Sequence, residues 1–345
     1  MTGPDNPFFS ILIPVYNKQE EIGRCLTSVL GQTFKDIEVI AVDDASSDRS
    51  VHVLREFAEK DERIRILNKE KNESLLCARI SGMQAAKGRY LLFVDADDFI
   101  DENTCKDLYD IIEKEPIDII EFDIVNEPDK TCLSQLVKEE LGNVYRADDP
   151  EGSKMKHIEN MLSNRSLHNF CNKCCSAELI REFLDKTELF YCNMFEDMYF
   201  SVTLSYLADS YIRTDGKYYH YVRNSNGMTS DNDSVLDNME SIMNSINNMN
   251  NGLRSFFIKC GEPMDEMICG SKEWQIKDYV DICLNSNKTV YEKMKILHVI
   301  DSITGTDHAV RFEAPFEWYD DFMHASVYTK AGMLFSKFVG RFRKR

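Results

Sequence analysis

Residues 89–99 read Arg-Tyr-Leu-Leu-Phe-Val-Asp-Ala-Asp-Asp-Phe, an apolar run that follows Gly88 and ends in three carboxylates, Asp95, Asp97 and Asp98. An unbroken apolar run of this length predicts a strand covered on both faces, as in a parallel sheet flanked by helices. Acids at its carboxyl end then lie where open parallel sheets bind their ligands. Carboxylates crowded together repel one another, and a hard divalent cation relieves that repulsion. Magnesium is usually held by one or two carboxylates together with phosphate oxygens, so this strand end predicts a nucleotide-diphosphate site.

The sequence on either side repeats a strand–helix alternation. Residues 9–15, 37–42, 64–67 and 90–94 read as strands one to four. Between them lie an amphipathic helix over 19–30, a helix after Asp48 whose Val51, Leu54, Phe57 and Ala58 keep helical spacing, and a further helix over 75–86. A further helix carries Leu108, Ile111 and Ile112, and 117–122 reads as another strand. Alternation with short connections predicts an α/β fold on a mostly parallel, Rossmann-like sheet. Residues 126–152 are polar and turn-rich, as in a loop or hairpin. Helices are predicted over 154–162, 177–184 and 197–207, and short strands over 211–213 and 217–222. From Asp231 the chain turns helical and asparagine-rich, with Leu236, Met239, Met243, Ile246, Met249 and Leu253 forming a core-type stripe. The expected organisation is a domain over 1–230, split into a nucleotide-binding half (8–125) and an acceptor half (126–230), with a helical C-terminal region over 231–345.

Bulk properties narrow the function classes. The 345 residues suffice for a large domain with an appendage, and 43% hydrophobic with 29% charged residues is a globular composition. A net charge of −18 argues against nucleic-acid binding, which needs a basic face. The chain opens without a charged-then-apolar leader, and no uncharged apolar stretch approaches the ~20 residues that cross a bilayer. A cytoplasmic location is therefore predicted. The 11 cysteines read as reduced small hydrophobes. His168, Cys171, Cys174 and Cys175 have partial zinc spacing but lack the usual second pair, so packing is the simpler reading.

Three strand ends carry polar clusters: Pro14-Val15-Tyr16-Asn17, Asp43-Asp44-Ala45-Ser46 and Asp95-Ala96-Asp97-Asp98. In a parallel sheet all three open onto one edge. A tyrosine there offers a flat face to a base, an aspartate can accept the imide N–H of uracil, and acids with a metal hold a diphosphate. Taken alone, Asp43-Asp44 also suits the turn before a helix.

The stretches SILIPVYN, EVIAVDDASSD, KNESLLCARISGMQAAKGRYLLFVDADD and FEDMYF resemble the inverting family-2 glycosyltransferases of GT-A fold. The likeness is close over 8–125, patchier to about residue 230 and weak beyond. It implies a nucleotide-sugar donor, a UDP-sugar first among them, with Mg2+ or Mn2+ at a DXD-type motif. It also implies a donor site formed by Pro14, Val15, Tyr16, Asp44, Arg79, Asp95, Ala96 and Asp97. Within it Asp44 binds uracil and Arg79 lies over the nucleotide, with metal ligands drawn from Asp97, Asp95 and Asp98. Ser74, Ile80 and Ala45 depart from residues common in relatives. Ser74 fits if its backbone keeps a negative φ.

Inverting transfer needs one carboxylate to take the acceptor proton and a metal to stabilise the departing diphosphate. Glu196-Asp197 stand at the head of a predicted helix, where an N-cap pair is the ordinary reading. Matching FEDMYF to the family makes Asp197 the base and Glu196 an acceptor-hydroxyl ligand or support. Lys173 lies where relatives carry an acceptor-side motif, with a surface lysine as the alternative. His220 could complete a metal shell or be a satisfied strand residue. Leu334, Phe335, Phe338 and Phe342 share a helical face flanked by Lys337, Arg341 and Lys344. This tail suits a peripheral contact with the anionic inner face of the plasma membrane, or a packed helix.

The predicted activity is hexosyltransferase-type transfer from a nucleotide sugar to a hydroxyl of a glycan or lipid-linked acceptor, as in bacterial polysaccharide biosynthesis. A sugar-nucleotide nucleotidyltransferase would bring a Gly-rich loop after strand one, where this chain has Pro14-Val15-Tyr16-Asn17. An inactive carbohydrate-binding protein would make Asp95, Asp97 and Asp197 dispensable.

Overall fold

The computed structural model describes residues 6–132, 152–163, 169–222, 232–288 and 290–305. Its first part is the alternation β1 (Phe9–Val15), α1 (Ile22–Leu30), β2 (Ile37–Asp43), α2 (Ser50–Ala58), β3 (Ile64–Asn68), α3 (Leu75–Ala85) and β4 (Tyr90–Phe93). Every residue of β1 and β4 is buried, as expected of strands covered on both faces. Then follow β5 (Phe99–Ile100), α4 (Thr104–Ile112), β6 (Ile119–Glu127), β7 (Thr131–Cys132), α5 (Gly152–Leu162), β8 (Lys173–Ser176), α6 (Ala177–Lys186), α7 (Glu196–Leu207) and β9 (Tyr211–Val222).

Among the described residues the strands form one sheet in the order β3-β2-β1-β4-β8-β6-β9-β5, with β7 on β6. The run β3-β2-β1-β4 is parallel, and its register aligns Val15 with Asp43 and Asp43 with Asn68. The carboxyl ends of these strands therefore share one edge. Strand order reverses around β1, since β2 lies on one side and β4 on the other, and such a switch point is where open sheets leave a ligand crevice. β8 runs antiparallel to both β4 and β6, whereas β6 and β9 are parallel.

Two strands predicted at 211–213 and 217–222 are in fact the single strand β9. Its pairing with β6 carries register irregularities between Glu121 and Ile124, where extra residues break the alternation on which a sequence reading depends. β6 also runs on to Glu127, into what reads as loop, because its polar residues Asp123 and Asn126 are buried.

The core beneath the site joins β1, β2 and β4 to α1, α2 and α4 through Ile11, Leu26, Val39, Leu54, Leu92 and Leu108. Rings of Phe8, Phe9, Phe34, Tyr90 and Tyr109 close its far end at centroid separations of 4.7–6.4 Å. Gly88 is required just before β4, because a Cβ there would come within 2.5 Å of the Ser10 nitrogen.

Two compact units are distinguished, residues 1–224 with 248–271, and 225–247 with 272–345. The helices α8 (Asn232–Asp237), α9 (Met239–Cys260), α10 (Asp265–Asn285) and α11 (Val290–Thr304) follow β9. Residues 248–271 thus belong to the first unit although they lie beyond residue 230. There Asn248 Nδ2 donates to the Tyr191 carbonyl (3.0 Å), and Lys259 pairs with Glu188 (2.8 Å). In the second unit Lys272 Nζ donates to Asn247 Oδ1 (2.9 Å) and Lys293 Nζ to the Leu284 carbonyl (2.9 Å). The stripe from Leu236 to Leu253 is buried throughout. Among the described residues no helix is long and apolar enough to cross a membrane. The tail at 334–345 lies outside the described residues.

Candidate active site

The loops after β1 and β2 are bonded to each other. Asp44 N–H donates to the Val15 carbonyl (2.9 Å), Asn17 N–H to Ser46 Oγ (3.0 Å) and Ser47 N–H to Asn17 Oδ1 (2.8 Å). Asn17 (φ 52°) and Ala45 (φ 62°) take left-handed conformations that turn each chain away from its strand. Pro14 and Val15 lie buried inside β1, and Tyr16 is the first residue of that strand end whose side chain is open.

Asp44 is buried, and its carboxylate accepts from the backbone N–H groups of Glu73 (3.0 Å) and Ser74 (3.0 Å). Burial raises its pKa, and those two bonds only partly offset the rise. A carboxylate has roughly four acceptor positions, so capacity remains for one further N–H. Ser74 corrects an expectation. Its φ is +94° with ψ 158°, a region almost confined to glycine and costing about 1–3 kcal/mol. The surroundings hold it there: Ser74 N–H bonds Asp44, Ser74 Oγ accepts from Cys192 N–H (3.1 Å), and Leu75 N–H reaches Asn193 Oδ1 (3.1 Å). The start of α3 is thereby clamped between the end of β2 and the 192–193 segment. Ile80 sits in the apolar interior on the same helix.

One turn into α3, that clamp aims Arg79 at three acids. Its Nη2 lies 2.8 Å from Asp95, and its Nη1 lies 3.1 Å from Glu196 and 2.5 Å from Asp197. The guanidinium is 1% exposed and sits 5.8 Å from the Phe170 ring centroid, so it faces acids rather than open site. Asp95 and Asp197 are 29% and 26% exposed. Phe195 (φ 66°) turns the chain into α7 and so places Glu196 and Asp197 in its first turn, where the helix dipole favours negative charge. Glu196 is buried, and among the described residues its Oε2 has no hydrogen-bond partner. Burial first, then the Asp197 charge, pushes its pKa up to about 8 against the opposing pull of Arg79. That shift favours the protonated form of Glu196 near neutrality. Burial also raises Asp95, with Arg79 opposing and Asp197 and Asp97 adding to the rise.

The acids of the 95–98 stretch have separate partners. Asp97, 25% exposed, pairs with Lys18 Nζ at 2.5 Å. Asp98 is sealed, accepting from Tyr219 Oη (2.6 Å) and Val222 N–H (2.8 Å), with its pKa pushed up to about 8 by burial and by Asp95. Ala96 is packed in the core. Among the described residues no group of three His, Cys, Asp or Glu side chains is set to hold a metal. A cation shared between Asp97 and diphosphate oxygens fits, since the Asp97 carboxylate already holds a positive ammonium in reach of solvent.

Other predicted site residues lie elsewhere. His220 Nδ1 meets Glu127 Oε1 (2.9 Å), and its ring stacks on Phe99 at 4.4 Å. Lys173 is fully buried, 3.0 Å from Glu121, and presents no surface to an acceptor. A lone lysine in sequence gives no sign of a buried partner about fifty residues away. Cys171, Cys174 and Cys175 are buried free thiols whose pKa values burial raises, and His168 lies outside the described residues. Three residues went unmarked in the sequence: Lys18, Arg24, which donates to the Asp97 carbonyl, and Tyr219, whose oxygen also accepts from Asp95 N–H (3.2 Å). Only Tyr219 left a signal, as the inward member of an aromatic run in a strand.

The model of the family described as "Glycosyl transferase family 2" matches residues 10–183, just over half of the chain. The chain belongs to glycosyl transferase family 2. It is 30% identical over 144 residues to the glycosyltransferase GlyG of Streptococcus pneumoniae, covering 42% of this chain and 41% of that one. It is 37% identical over 113 residues to the poly(ribitol-phosphate) beta-glucosyltransferase of Bacillus spizizenii, covering 32% and 18%. The chain thus spans less than half the length of these curated relatives. In fold it is similar to S. aureus TarS 1–349 solved with UDP-GlcNAc, with a TM-score of 0.54, 18% identity, and coverage of 87% of this chain and 91% of that one. This likeness, with the matched family, makes the fold that of the GT-A glycosyltransferases.

Proposed function

We propose that this family-2 member is a metal-dependent inverting glycosyltransferase that moves a sugar from a UDP-sugar to a hydroxyl of a glycan or lipid-linked acceptor. The observation that carries the reading is the Arg79 cluster, which joins the acid at the end of β4 to the acids at the head of α7 on the edge that also holds Asp44. Asp197 takes the proton of the acceptor hydroxyl as that oxygen bonds to the anomeric carbon from the face opposite the diphosphate. The anomeric carbon–diphosphate bond breaks with its electron pair on the departing oxygen. Arg79 orients the Asp197 carboxylate, and protonated Glu196 keeps a further charge out of the cluster. Asp44 accepts a base imide N–H, while Tyr16 offers its exposed ring beside it. A divalent ion held by Asp97, with Asp95 beside it, would supply charge stabilisation to the leaving diphosphate.

Support for the donor comes from the UDP-GlcNAc named in the TarS structure. Support for a surface-glycan acceptor comes from the poly(ribitol-phosphate) substrate in the name of the Bacillus relative. A panel of nucleotide sugars titrated with and without Mn2+ tests the reading. UDP-sugars should bind best, only with metal, and should hydrolyse slowly. Equal binding in EDTA, or preference for another base, would refute the metal or the uracil assignment respectively.

A further inference from the structure

Lys18 is not accounted for by the reaction above, yet among the described residues it is the charged side chain paired with Asp97. Its backbone is fixed at the head of α1. Lys18 N–H donates to Ser50 Oγ (2.7 Å), and its carbonyl accepts from Glu21 and Ile22 N–H (3.2 and 3.0 Å). The ammonium sits at the end of a flexible four-carbon stem and is about a quarter exposed, as is Asp97. Meanwhile the main chain at Asp97 is held independently of Lys18. Arg24 donates to the Asp97 carbonyl and lies 5.7 Å from the Phe99 ring centroid, and Asp98 is anchored by Tyr219 and Val222. Releasing Lys18 from Asp97 therefore does not release the loop. A partly solvated ion pair is weak, so this carboxylate can change partners.

We infer that Lys18 is an internal counter-ion that occupies Asp97 in the unliganded protein and, on donor binding, transfers its charge from Asp97 to the diphosphate. The inference rests on the proposed donor reading and adds to it an order of events. Before nucleotide binds, Lys18 competes with a divalent cation for Asp97, so metal binding to the free protein is weakened. When nucleotide and metal arrive together, the tethered ammonium stays on the same sheet edge and offsets part of the diphosphate charge. Lys18 is in this view a positioning residue for the metal and a charge partner for the donor.

The two roles give effects of opposite sign, which no purely structural role would produce. The test is Mn2+ titration of the nucleotide-free full chain by electron paramagnetic resonance, then UDP titration by calorimetry at saturating Mn2+. It compares wild type, Lys18→Met and Lys18→Arg. Lys18→Met should tighten nucleotide-free Mn2+ binding by about three- to tenfold, as expected when one nearby positive charge is removed, and should weaken UDP by a similar factor. Lys18→Arg, which keeps the charge, should restore wild-type values in both titrations. Unchanged or weaker Mn2+ binding by Lys18→Met, or both affinities falling together with the melting temperature, would overturn the inference. In those cases wild type still binds UDP with metal and the donor reading stands. Wild type that shows no metal-dependent UDP binding would instead remove the donor reading and this inference with it.

Discussion

Two buried ionic clusters in the first unit are built in opposite senses. Around Arg79, one cation meets three acids, Asp95, Glu196 and Asp197, two of which reach solvent. Around Glu121, one acid meets two cations, Lys173 at 3.0 Å and Arg213 at 3.4 Å, together with the Tyr211 hydroxyl, and of these only the Arg213 side chain, 10% exposed, reaches the surface to any degree. Burial works to raise both glutamates. At Glu121 the two cations outweigh it and hold the carboxyl below its usual range, while at Glu196 the Asp197 charge adds to it and the pKa reaches about 8. The first cluster has surplus negative charge, whereas in the second two cations meet one carboxylate inside the sheet. An acid-rich, half-open cluster is what a site awaiting a proton or cation needs, whereas a largely closed one whose single carboxylate is outnumbered by cations is part of the packing.

The sharpest way to break this contrast is Asp197→Asn. It should cut turnover by at least ~10²-fold, the low end for a positioned general base, while UDP affinity and melting temperature stay close to wild type. Calorimetry with UDP beside a transfer assay checks it, and lost UDP binding with intact turnover would move Asp197 to the donor site. Next in size, Lys173→Met removes a partner from the closed cluster and should lower stability by about 3–5 kcal/mol, read by urea denaturation. Turnover per folded molecule should change little. A stable variant with an altered acceptor KM would return Lys173 to the acceptor side.

Glu196→Gln sharpens the comparison through pH. Folded Glu196 keeps its proton up to about pH 8, whereas an unfolded glutamate releases it in the ordinary carboxylate range. Between those values the folded state binds more protons, so wild-type stability falls as pH rises, by at most ~1.4 kcal/mol per unit from this group. Glutamine does not titrate. The stability difference in favour of Glu196→Gln should therefore widen from pH 5 to pH 8 in thermal melts. A constant difference would show that Glu196 is ionised throughout. Asp44→Ala follows, with UDP weakened by roughly tenfold and its advantage over GDP reduced, as expected when one buried hydrogen bond to the base is lost. Equal loss for both nucleotides would confine Asp44 to holding the 73–74 backbone.

The contrast between the clusters also marks what the sequence could convey. Apolar runs that end abruptly in Tyr16, Asp44 or Asp95 announce both a strand and the edge it opens on, so the parallel half and its polar rim were legible. Arg79 was legible only by family resemblance, because a guanidinium inside an evenly buried helix leaves no periodic trace. Its contacts with Glu196 and Asp197 span more than a hundred residues. Lys173 and Glu121 were illegible as a pair for the same reason, and β9 was divided because its bulged pairing hides the alternation. Ser74 was misjudged because φ is set by what clamps a residue, here Asp44 and the 192–193 segment, and not by the residue itself.

That last point yields the smallest expected effect. Ala45 and Ser74 both adopt positive φ beside the site, at 62° and 94°, but they differ in what their side chains do. Ser74 Oγ accepts from Cys192 N–H, so replacing it with glycine would exchange strain relief for a lost hydrogen bond. Ala45 has only a methyl group to lose. In the left-handed region an L-residue costs roughly 1–2 kcal/mol, and glycine recovers most of this while losing about 0.5–1 kcal/mol to unfolded-state entropy. Ala45→Gly should therefore stabilise the protein by about 0.5–1 kcal/mol, with Ser74→Gly close to neutral, and neither should shift UDP affinity. Paired denaturation curves check the difference between them. If Ala45→Gly instead destabilises the fold or loosens UDP binding, the left-handed turn after β2 is holding Asp44 in place, and the strain belongs to the donor site.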